Sequence, residues 1–187
     1  MDIITVEKRD TTKKAKQLRR IGIVPCVIYG GALKESISIQ MDNTVAIKVL
    51  RNKHEGSKLQ IKLEDQIILA QIKDKTRDTL NNEIIQISFQ ALQADQKVNS
   101  VTHIIFQNEE LIKGILEKMI IEVPYAALPE DMVDTITIDI EGRPIGETLT
   151  VGDMEEFKTE KVELQIDKDA VICKIVEKKG TSTEDAE

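Results

Sequence analysis

The sequence predicts a mainly β protein with short helices (α+β), in which a small N-terminal β-barrel is followed by a second β-rich domain. Many short segments alternate apolar and polar side chains, which is the period of a β-strand. The chain has 187 residues, which is enough for two small domains. The charge also changes sign between the two halves, which favours a separate domain for each half.

The first half predicts the element order β-α-β-β-α-β-β-β. The predicted elements are strand 2–7, helix 12–20, strands 26–29 and 36–41, a helix ending near residue 52, a hairpin of 59–63 with 66–72, and strand 83–89. Asp42 or Asn43 is expected to cap the second helix, because either side chain can accept a hydrogen bond from a free backbone N–H. A small mixed sheet of this kind is expected to close into a barrel, which removes exposed strand edges.

The second half predicts further strands and one helix. The predicted strands are 102–106, 136–140, 148–151, 162–166 and 170–177, and the acidic stretch 108–117 is predicted to be helical. The segment 93–101 is polar and contains two glutamines, so the domain boundary is placed at its start. The predicted domains are a basic barrel at 1–92, an acidic β-rich domain at 93–178 and a disordered tail at 179–187.

Composition excludes several classes of protein. Aromatic residues make up 3% of the chain and Trp is absent, so Ile, Leu and Val are expected to form the core. Cys26 and Cys173 lie in apolar strand-like runs and are predicted to be buried free thiols, since a disulfide framework needs more cysteines. No apolar stretch reaches the roughly 20 residues that cross a bilayer, and no signal-peptide region is seen. A soluble, cytoplasmic protein without membrane contact is expected.

Residues that catalyse reactions or bind metals are not grouped in the sequence. His54 and His103 lie far apart, with no Cys or carboxylate at metal-ligand spacing. There is no glycine-rich phosphate loop, nucleophile elbow or paired-cysteine motif. We therefore predict that the chain is not an enzyme and has no cofactor and no small-molecule substrate.

The net charge of −7 combines a basic front with an acidic back. Residues 1–90 contain 16 Lys and Arg against 11 Asp and Glu, a net charge of +5. The remaining residues contain 10 Lys and Arg against 22 Asp and Glu, a net charge of −12. Only the first half is therefore expected to contact a polyanion such as a nucleic acid.

The bases of the first half form a cluster. Seven of them fall within thirteen residues, namely Lys8, Arg9, Lys13, Lys14, Lys16, Arg19 and Arg20. In a helix, Lys13, Lys16 and Arg20 share one face while Ala15 and Leu18 turn inward. This surface is either a solvated helix face or a phosphate-contacting surface that gains affinity by releasing counterions.

A second set of bases alternates along a predicted strand. It consists of Lys73, Lys75 and Arg77. Alternation places the three side chains on one face of the strand. They form either a solubilising strand face or a second basic edge that grips the opposite strand of a nucleic acid.

Several sequence strings carry a family resemblance. In the first half they are Leu18-Arg19-Arg20, then Gly22 and Pro25, then Val27-Ile28-Tyr29-Gly30. In the second half they are Leu128-Pro129-Glu130-Asp131, Ile138-Asp139-Ile140, Ile145-Gly146-Glu147 and Val151-Gly152-Asp153-Met154. In this order and at this spacing they resemble the bacterial 5S-rRNA-binding ribosomal protein family numbered twenty-five, whose two-domain members are called general stress protein Ctc. The resemblance spans most of the chain.

The resemblance implies a small barrel that docks on an internal-loop region of 5S rRNA. Arg19 matches the family pattern, and Lys16 is a like-charge replacement. Lys13 and Lys14 lie beside Thr12, where the family has Lys. Tyr29 matches the family's tyrosine, either as an RNA contact or as a core residue.

Other positions depart from the family pattern. Gln86-Ile87-Ser88-Phe89 stands where the family has His-x-Asp-Phe, Thr76 where it has Gln, and Gln17 where it has Arg. The second half lacks a glycine-rich stretch before Leu116. These changes affect base recognition more than phosphate attraction, because Arg and Lys are not interchangeable at bidentate contacts.

We therefore expect a structural constituent of the bacterial large ribosomal subunit that binds 5S rRNA through its first domain. The candidate RNA-binding residues are Lys8, Lys13, Lys14, Lys16, Arg19, Arg20, Tyr29, Lys73, Lys75 and Arg77. The acidic second domain is expected to face away from RNA or to contact a basic ribosomal protein. The alternative is a diverged, stress-related paralogue with weakened RNA recognition that acts as a protein-interaction module.

Overall fold

Residues 3–159 and 161–177 are described by a computed structural model, in which β-strands dominate. The first six strands are β1 (Ile3–Lys8), β2 (Ile23–Tyr29), β3 (Ile37–Asp42), β4 (Lys58–Leu63), β5 (Gln66–Arg77) and β6 (Ile84–Ala91). The later strands are β7 (Val98–Gln107), β8 (Ile115–Lys118), β9 (Glu122–Ala127), β10 (Thr135–Asp139), β11 (Thr148–Thr150), β12 (Glu163–Leu164) and β13 (Val171–Val176). The prediction of a mainly β fold that begins with a small barrel is confirmed.

Two short α-helices interrupt the first six strands, α1 (Ala15–Arg20) and α2 (Asn43–Asn52). The resulting order is the β-α-β-β-α-β-β-β predicted from the sequence. Asp42 caps α2 by accepting a hydrogen bond from the Thr44 N–H at 2.7 Å. Among the later residues that the structure describes there are three single 3-10 turns, at Glu109–Leu111, Val151–Asp153 and Glu155–Phe157. Within the described ranges, no helix is long and apolar enough to cross a membrane.

The first six strands close into a barrel in the order β1-β3-β2-β6-β5-β4. The closing contact is the parallel pairing of β1 with β4, which places Ile3 opposite Gln60 and Val6 opposite Leu63. β4 and β5 form the predicted hairpin, whose two-residue turn holds Glu64 at a left-handed φ of 53°. Closure gives each strand a hydrogen-bonded neighbour on both sides.

Aliphatic side chains at alternate strand positions fill the barrel. Leu59, Ile61 and Leu63 of β4 are buried, while Lys62 between them faces solvent. Phe89 of β6 adds a fully buried ring. Each such side chain contributes roughly 1.5–3 kcal/mol relative to an exposed position, so the barrel core supplies the stability of this half.

The later strands form two sheets, which we call the C-terminal sheets. Their orders are β10-β7-β9-β12 and β11-β13-β8, and they share a second hydrophobic core. Ile136, Ile138 and Ile140 supply alternate buried positions, as the sequence predicts. Tyr125 is fully buried, and its hydroxyl donates to the Val133 carbonyl at 3.1 Å and accepts from the Val133 N–H at 2.9 Å. These hydrogen bonds offset the cost of burying the hydroxyl.

Side chains that often carry chemistry are buried or dispersed. Cys26 and Cys173 are both buried free thiols, as predicted. Burial raises the pKa of Cys26 to about 12, which keeps the thiol protonated and unreactive at neutral pH. Among residues 3–159 and 161–177, no three His, Cys, Asp or Glu side chains are grouped to hold a metal ion.

The prediction of a helix at 108–117 is wrong. Asn108 adopts a left-handed conformation with a φ of 59°, and a single 3-10 turn follows it. The chain then pairs as β8 with β13. A Cβ at Gly114 would lie 2.4 Å from the Val176 carbonyl oxygen, so only glycine permits this close approach of the two strands. Tertiary pairing therefore overrides the local helical propensity.

Other predictions differ from the structure in detail. α1 begins at Ala15 rather than at residue 12, because a hydrogen-bonded turn precedes it. The sequence pattern predicts that Val45, Val49 and Leu50 of α2 face the core, but Val45 is 37% exposed, whereas Ala46 and Leu50 are buried against the barrel. The loop 92–97 joins β6 to β7, and the division into domains at residue 92 stays a prediction. The predicted tail at 179–187 lies outside the described residues.

The barrel and the C-terminal sheets meet at a polar contact region, which we call the junction. Lys58 Nζ donates to the Pro129 carbonyl at 2.7 Å. The Lys58 N–H donates to Asp134 Oδ1 at 3.3 Å, and Lys53 Nζ lies 3.4 Å from Asp134 Oδ2. The loop that carries Pro129 and Asp134 is therefore fastened to the barrel at the start of β4.

Gly56 packs tightly against β7 at the junction. Its φ is +84°, and a Cβ there would lie 2.2 Å from the Val101 carbonyl oxygen and 2.7 Å from Ser100 Oγ. Gly22 has a similar φ of +80°, but no atom lies within 4 Å of its Cβ position. The two glycines thus share a backbone requirement and differ in packing.

We expect Gly56→Ala to lower the free energy of unfolding by about 1–3 kcal/mol more than Gly22→Ala does. Both substitutions place a side chain in the left-handed conformation, which costs roughly 1–2 kcal/mol, and only Gly56→Ala also creates an overlap across the junction. Urea titrations of the two variants measure the difference. Equal losses would contradict the packing of Gly56 against β7.

Two histidine rings lie together at the junction. The ring centroids of His54 and His103 are 4.5 Å apart, and His103 Nδ1 lies 3.6 Å from Glu122 Oε1. Burial lowers the pKa of both rings. The charge of Lys75 lowers both further, while Glu122 acts in the opposite direction. The pair is therefore uncharged at neutral pH.

This histidine pair predicts a loss of stability on acidification. The folded pKa values lie below the ordinary 6.5, so the contribution of the neutral pair is complete above 6.5 and is lost as the pH falls through the folded values. We expect the double variant His54→Gln with His103→Gln to lose less free energy of unfolding over this pH range. Denaturant titrations of both proteins between about pH 7.5 and 5.5 test it. Burial raises the pKa of Glu55, but that effect is common to both proteins and cancels. Identical pH profiles would rule out the histidine contribution.

Candidate nucleic-acid interface

The basic side chains of α1 point in a fixed direction, because one apolar side chain attaches the helix to the barrel. Leu18 is fully buried, which leaves Lys16 and Arg20 exposed and Arg19 half-buried. A six-residue helix is not stable alone, so this attachment determines where the bases point. Gly22, at a φ of +80°, ends the helix and donates its N–H to the Arg19 carbonyl at 3.0 Å.

A hydrogen-bonded turn orients the chain just before α1. Asp10 Oδ1 accepts from Thr12 Oγ1 at 2.5 Å and from the Thr12 N–H at 2.9 Å. These bonds, with Lys13 Nζ at 3.3 Å, hold the pKa of the Asp10 carboxyl below its usual value. Gln17 Oε1 accepts from the Lys14 N–H at 2.9 Å and closes the first turn of the helix. Gln17 therefore has a capping role here.

Five bases form what we call the α1 surface: Lys13, Lys14, Lys16, Arg19 and Arg20. Because the helix begins at Ala15, only Lys16 and Arg20 keep the predicted helical spacing. Apart from Lys13, these bases form no ion pair with a carboxylate of residues 3–159 or 161–177. Their charges are therefore available to a phosphate backbone.

The bases of β5 do not form one edge. Lys73 Nζ donates to the Asn99 carbonyl at 3.1 Å, and Lys75 Nζ lies 4.0 Å from Glu55 Oε1. Both side chains point toward the junction with the C-terminal sheets. The structure thus separates Lys73 and Lys75 from the α1 surface and gives each of them a partner within the chain.

Arg77 is the last residue of β5, two positions beyond Lys75, and it lies on the side of α1. It pairs with Ile84 of β6, and Ile84 and Arg19 line the same small cleft. Its Nη1 donates to Asn82 Oδ1 at 3.3 Å, within the hairpin that joins β5 to β6. Arg77 is therefore the β5 base that the fold brings to the α1 surface.

The two remaining candidates lie elsewhere on the barrel. Lys8 Nζ is 3.1 Å from Glu64 Oε1 in the turn between β4 and β5, and both side chains are well exposed. Tyr29 is 36% exposed at the end of β2, opposite Gln90 of β6. It lies outside the core, so its ring and hydroxyl are accessible to a ligand.

Four polar residues outside the candidate set share the barrel surface between α1 and Tyr29. Asp74 lies opposite Ser88, and Thr76 lies opposite Gln86, so that all four point outward from β5 and β6. Gln86 Nε2 donates to Ser88 Oγ at 3.3 Å. We call these four residues the outer polar face. Three of them occupy positions where the sequence departs from the resembled family, which is the signal that could have identified them.

Arg9 is a further base outside the candidate set. Its backbone N–H donates to the Ser38 carbonyl at 3.1 Å, just after the end of β1. Its Nε is buried and has no hydrogen-bond partner among the described residues. Buried polar groups are usually paired, so the guanidinium has an unused donor in the free chain. Its place in the basic cluster was the available sequence signal.

Comparison with known proteins matches both halves of the chain. Residues 4–89 match the Ribosomal L25p family. Residues 97–179 match the family described as Ribosomal protein TL5, C-terminal domain. The two matches follow each other in the chain and together cover most of it.

Similar proteins extend over nearly the whole length of the chain. One from Dictyoglomus turgidum is 31% identical over 192 residues, covering 97% of this chain and 92% of the relative. One from Caldanaerobacter subterraneus is 28% identical over 193 residues, covering 100% and 96%. One from Listeria monocytogenes is 25% identical and covers 97% and 90%. Each of the three is named large ribosomal subunit protein bL25. The chain belongs to the bL25 family of bacterial large-subunit ribosomal proteins.

Proposed function

We propose that the chain binds 5S rRNA through the α1 surface, Arg77 and the outer polar face, with Tyr29 at its margin. As a member of the bL25 family, the chain is a structural, non-enzymatic component of the bacterial large ribosomal subunit. Ribosomal proteins work in the cytoplasm, in agreement with the sequence expectation. The identity of the RNA and the contact residues are the proposed part.

The unpaired bases of the α1 surface are the observation that carries this proposal. Lys14, Lys16 and Arg20 are exposed on a segment that Leu18 and Gly22 hold in place. Each base that contacts a phosphate releases condensed counterions, which favours binding at moderate salt. A fixed surface also loses less side-chain and backbone entropy on binding than a mobile one.

The outer polar face provides a different kind of contact. Regular RNA helices hide their base edges in a deep major groove, so proteins read phosphates, 2′-hydroxyls and irregular loops. Hydroxyl and amide groups of Thr76, Gln86 and Ser88 can donate and accept hydrogen bonds at such sites. The bases would attract the RNA, and the outer polar face would orient it.

The acidic part of the chain limits how the RNA can approach. The residues after position 90 have a net charge of −12, which repels a phosphate backbone. The junction lies beside Lys73 and Lys75, before β5 reaches Arg77, whose partner Ile84 lines a cleft with Arg19. RNA is therefore expected on the α1 side of the barrel.

A second candidate function is that of a diverged paralogue with weakened RNA recognition. Two observations favour it: Gln86 and Ser88 replace the family's His and Asp, and Lys73 and Lys75 have partners within the chain. Such a protein would keep phosphate attraction and lose discrimination between RNAs. Comparison of 5S rRNA with an unrelated hairpin RNA separates the two functions.

We expect Arg19→Ala with Arg20→Ala to weaken binding of 5S rRNA roughly tenfold or more, because two charge-assisted contacts are lost. The slope of log affinity against log salt should fall by about 2, close to 1 for each phosphate contact. Gel-shift titrations at several salt concentrations measure both quantities. The matched control is Lys48→Ala with Lys62→Ala, which also removes two positive charges.

The control bases lie away from the proposed interface. Lys48 faces the groove between α2 and β1, and Lys62 points outward from β4. β1 and β4 lie across the barrel from β2 and β6. Equal weakening by both double variants would show only a general charge effect and would refute the α1 assignment. Equal affinity of the unmodified chain for 5S rRNA and for the unrelated hairpin would favour the diverged paralogue.

A further inference from the structure

An open apolar cleft lies on the C-terminal sheets, far along the chain from the α1 surface. It has a volume of about 390 Å³ and lies between the 3-10 turn that precedes β8 and the turn that joins β10 to β11. Leu111 and Ile112 form one wall, and Pro144 and Ile145 form the other. Leu111 is 54% exposed and Ile145 is 48% exposed, so two large aliphatic side chains face solvent across the cleft. We call it the 111/145 cleft.

Hydrogen bonds hold the two walls in place. Asp139 Oδ1 accepts from Asn108 Nδ2 at 2.9 Å and from the Glu141 N–H at 2.9 Å, and so links the two turns. Arg143 Nε donates to the Asp139 carbonyl at 2.9 Å. Behind the cleft, Ile112 packs against the core of the C-terminal sheets. The cleft is therefore preformed, which reduces the entropy lost when a ligand enters.

Two carboxylates lie next to the 111/145 cleft, on the residues that directly precede Leu111 and Gly142 of its lining, and we call them its rim. Glu110 and Glu141 are exposed and form no ion pair within the described part of the chain. Of the nearby bases, Arg143 is already paired with Glu147. Lys113, which is exposed, and Arg143 are the charged residues that line the cleft itself. This rim adds to a half-chain whose net charge is −12.

Two kinds of occupant are disfavoured by this rim. RNA would bring phosphates next to Glu110 and Glu141, and like charges repel. A second copy of the chain would place the same acidic residues against those of the first copy, and these like charges would also repel. A positively charged polypeptide is attracted by the net charge of −12 on this half of the chain, which outweighs Lys113 and accelerates its approach.

We propose that the 111/145 cleft binds a large apolar side chain carried by a Lys- or Arg-rich segment of a neighbouring protein in the large ribosomal subunit. This rests on the proposed function, because the partner is met on the subunit. An apolar anchor in a preformed cleft with charged residues at the rim is a common arrangement of protein interfaces. Leu111 and Ile145 provide the apolar contact, and Glu110 and Glu141 select a basic segment.

The test uses the full chain bound to large subunits that lack their own copy. A photo-crosslinking residue, p-benzoylphenylalanine, replaces Leu111 in one protein and Ile145 in a second. Because the two positions lie on opposite walls, we expect both to cross-link to the same ribosomal protein, within a segment of net positive charge. Ile67, which is 59% exposed on β5, is the control position and should not give this product.

Charge reversal tests the role of the rim. Glu110→Lys with Glu141→Lys should lower the cross-link yield roughly fivefold or more, because the rim would then repel the basic segment. The matched control, Glu130→Lys with Glu156→Lys, changes the charge equally at exposed positions elsewhere and should leave the yield unchanged.

The outcomes separate this proposal from the proposed function. Cosedimentation with the subunit and no protein cross-link, or a cross-link to rRNA, would overturn the 111/145 proposal alone. A yield that charge reversal leaves unchanged would do the same. If the unmodified chain did not cosediment with the large subunit, the proposed function would be overturned. The proposed partner of the 111/145 cleft would be overturned as well.

Discussion

Pairing of β1 with β4 is the contact on which the rest of the barrel depends. These strands are more than fifty residues apart in sequence, and their parallel register from Ile3–Gln60 to Val6–Leu63 converts an open sheet into a closed one. Without it, both strands would present a free hydrogen-bonding edge to solvent and to other chains. Closure also fixes the interior volume, which the alternating Leu and Ile side chains then fill.

The proposed RNA interface depends on this barrel for its shape rather than for its charge. α1 is too short to persist alone, and it becomes a defined surface because Leu18 is buried and Gly22 turns the chain into β2. The outer polar face likewise exists only through the register of β5 with β6. A peptide with the same basic residues would have the charge and lack the geometry.

Local patterns were sufficient to predict some elements and not others. The alternation of Leu59, Ile61 and Leu63 and a two-residue turn predicted the β4–β5 hairpin, because register and periodicity are local properties. The strand β8 was missed because its pairing with β13 is long-range and because Gly114 permits a close approach that no local pattern reveals.

The same reason explains why the sequence predicts where the bases of α1 lie but does not predict where the bases of β5 lie. The α1 surface follows from a single run of sequence. The position of Lys73 depends on the Asn99 carbonyl, which another strand brings beside it. Sequence spacing places the three β5 bases on one face, but it does not show that the junction with the C-terminal sheets covers the part of that face with Lys73 and Lys75.

The connection between β6 and β7 is short, and this lowers the affinity that a contact on the C-terminal sheets needs in order to be occupied. The loop 92–97 spans at most about 20 Å, and the junction restricts it further. Once the barrel is attached to a particle, the C-terminal sheets are confined near their neighbours at an effective concentration on the order of millimolar. A contact with a dissociation constant in that range, undetectable between separate molecules, would be occupied much of the time. Weak contacts made by the acidic half are therefore sufficient to link it to its neighbours while the barrel is attached.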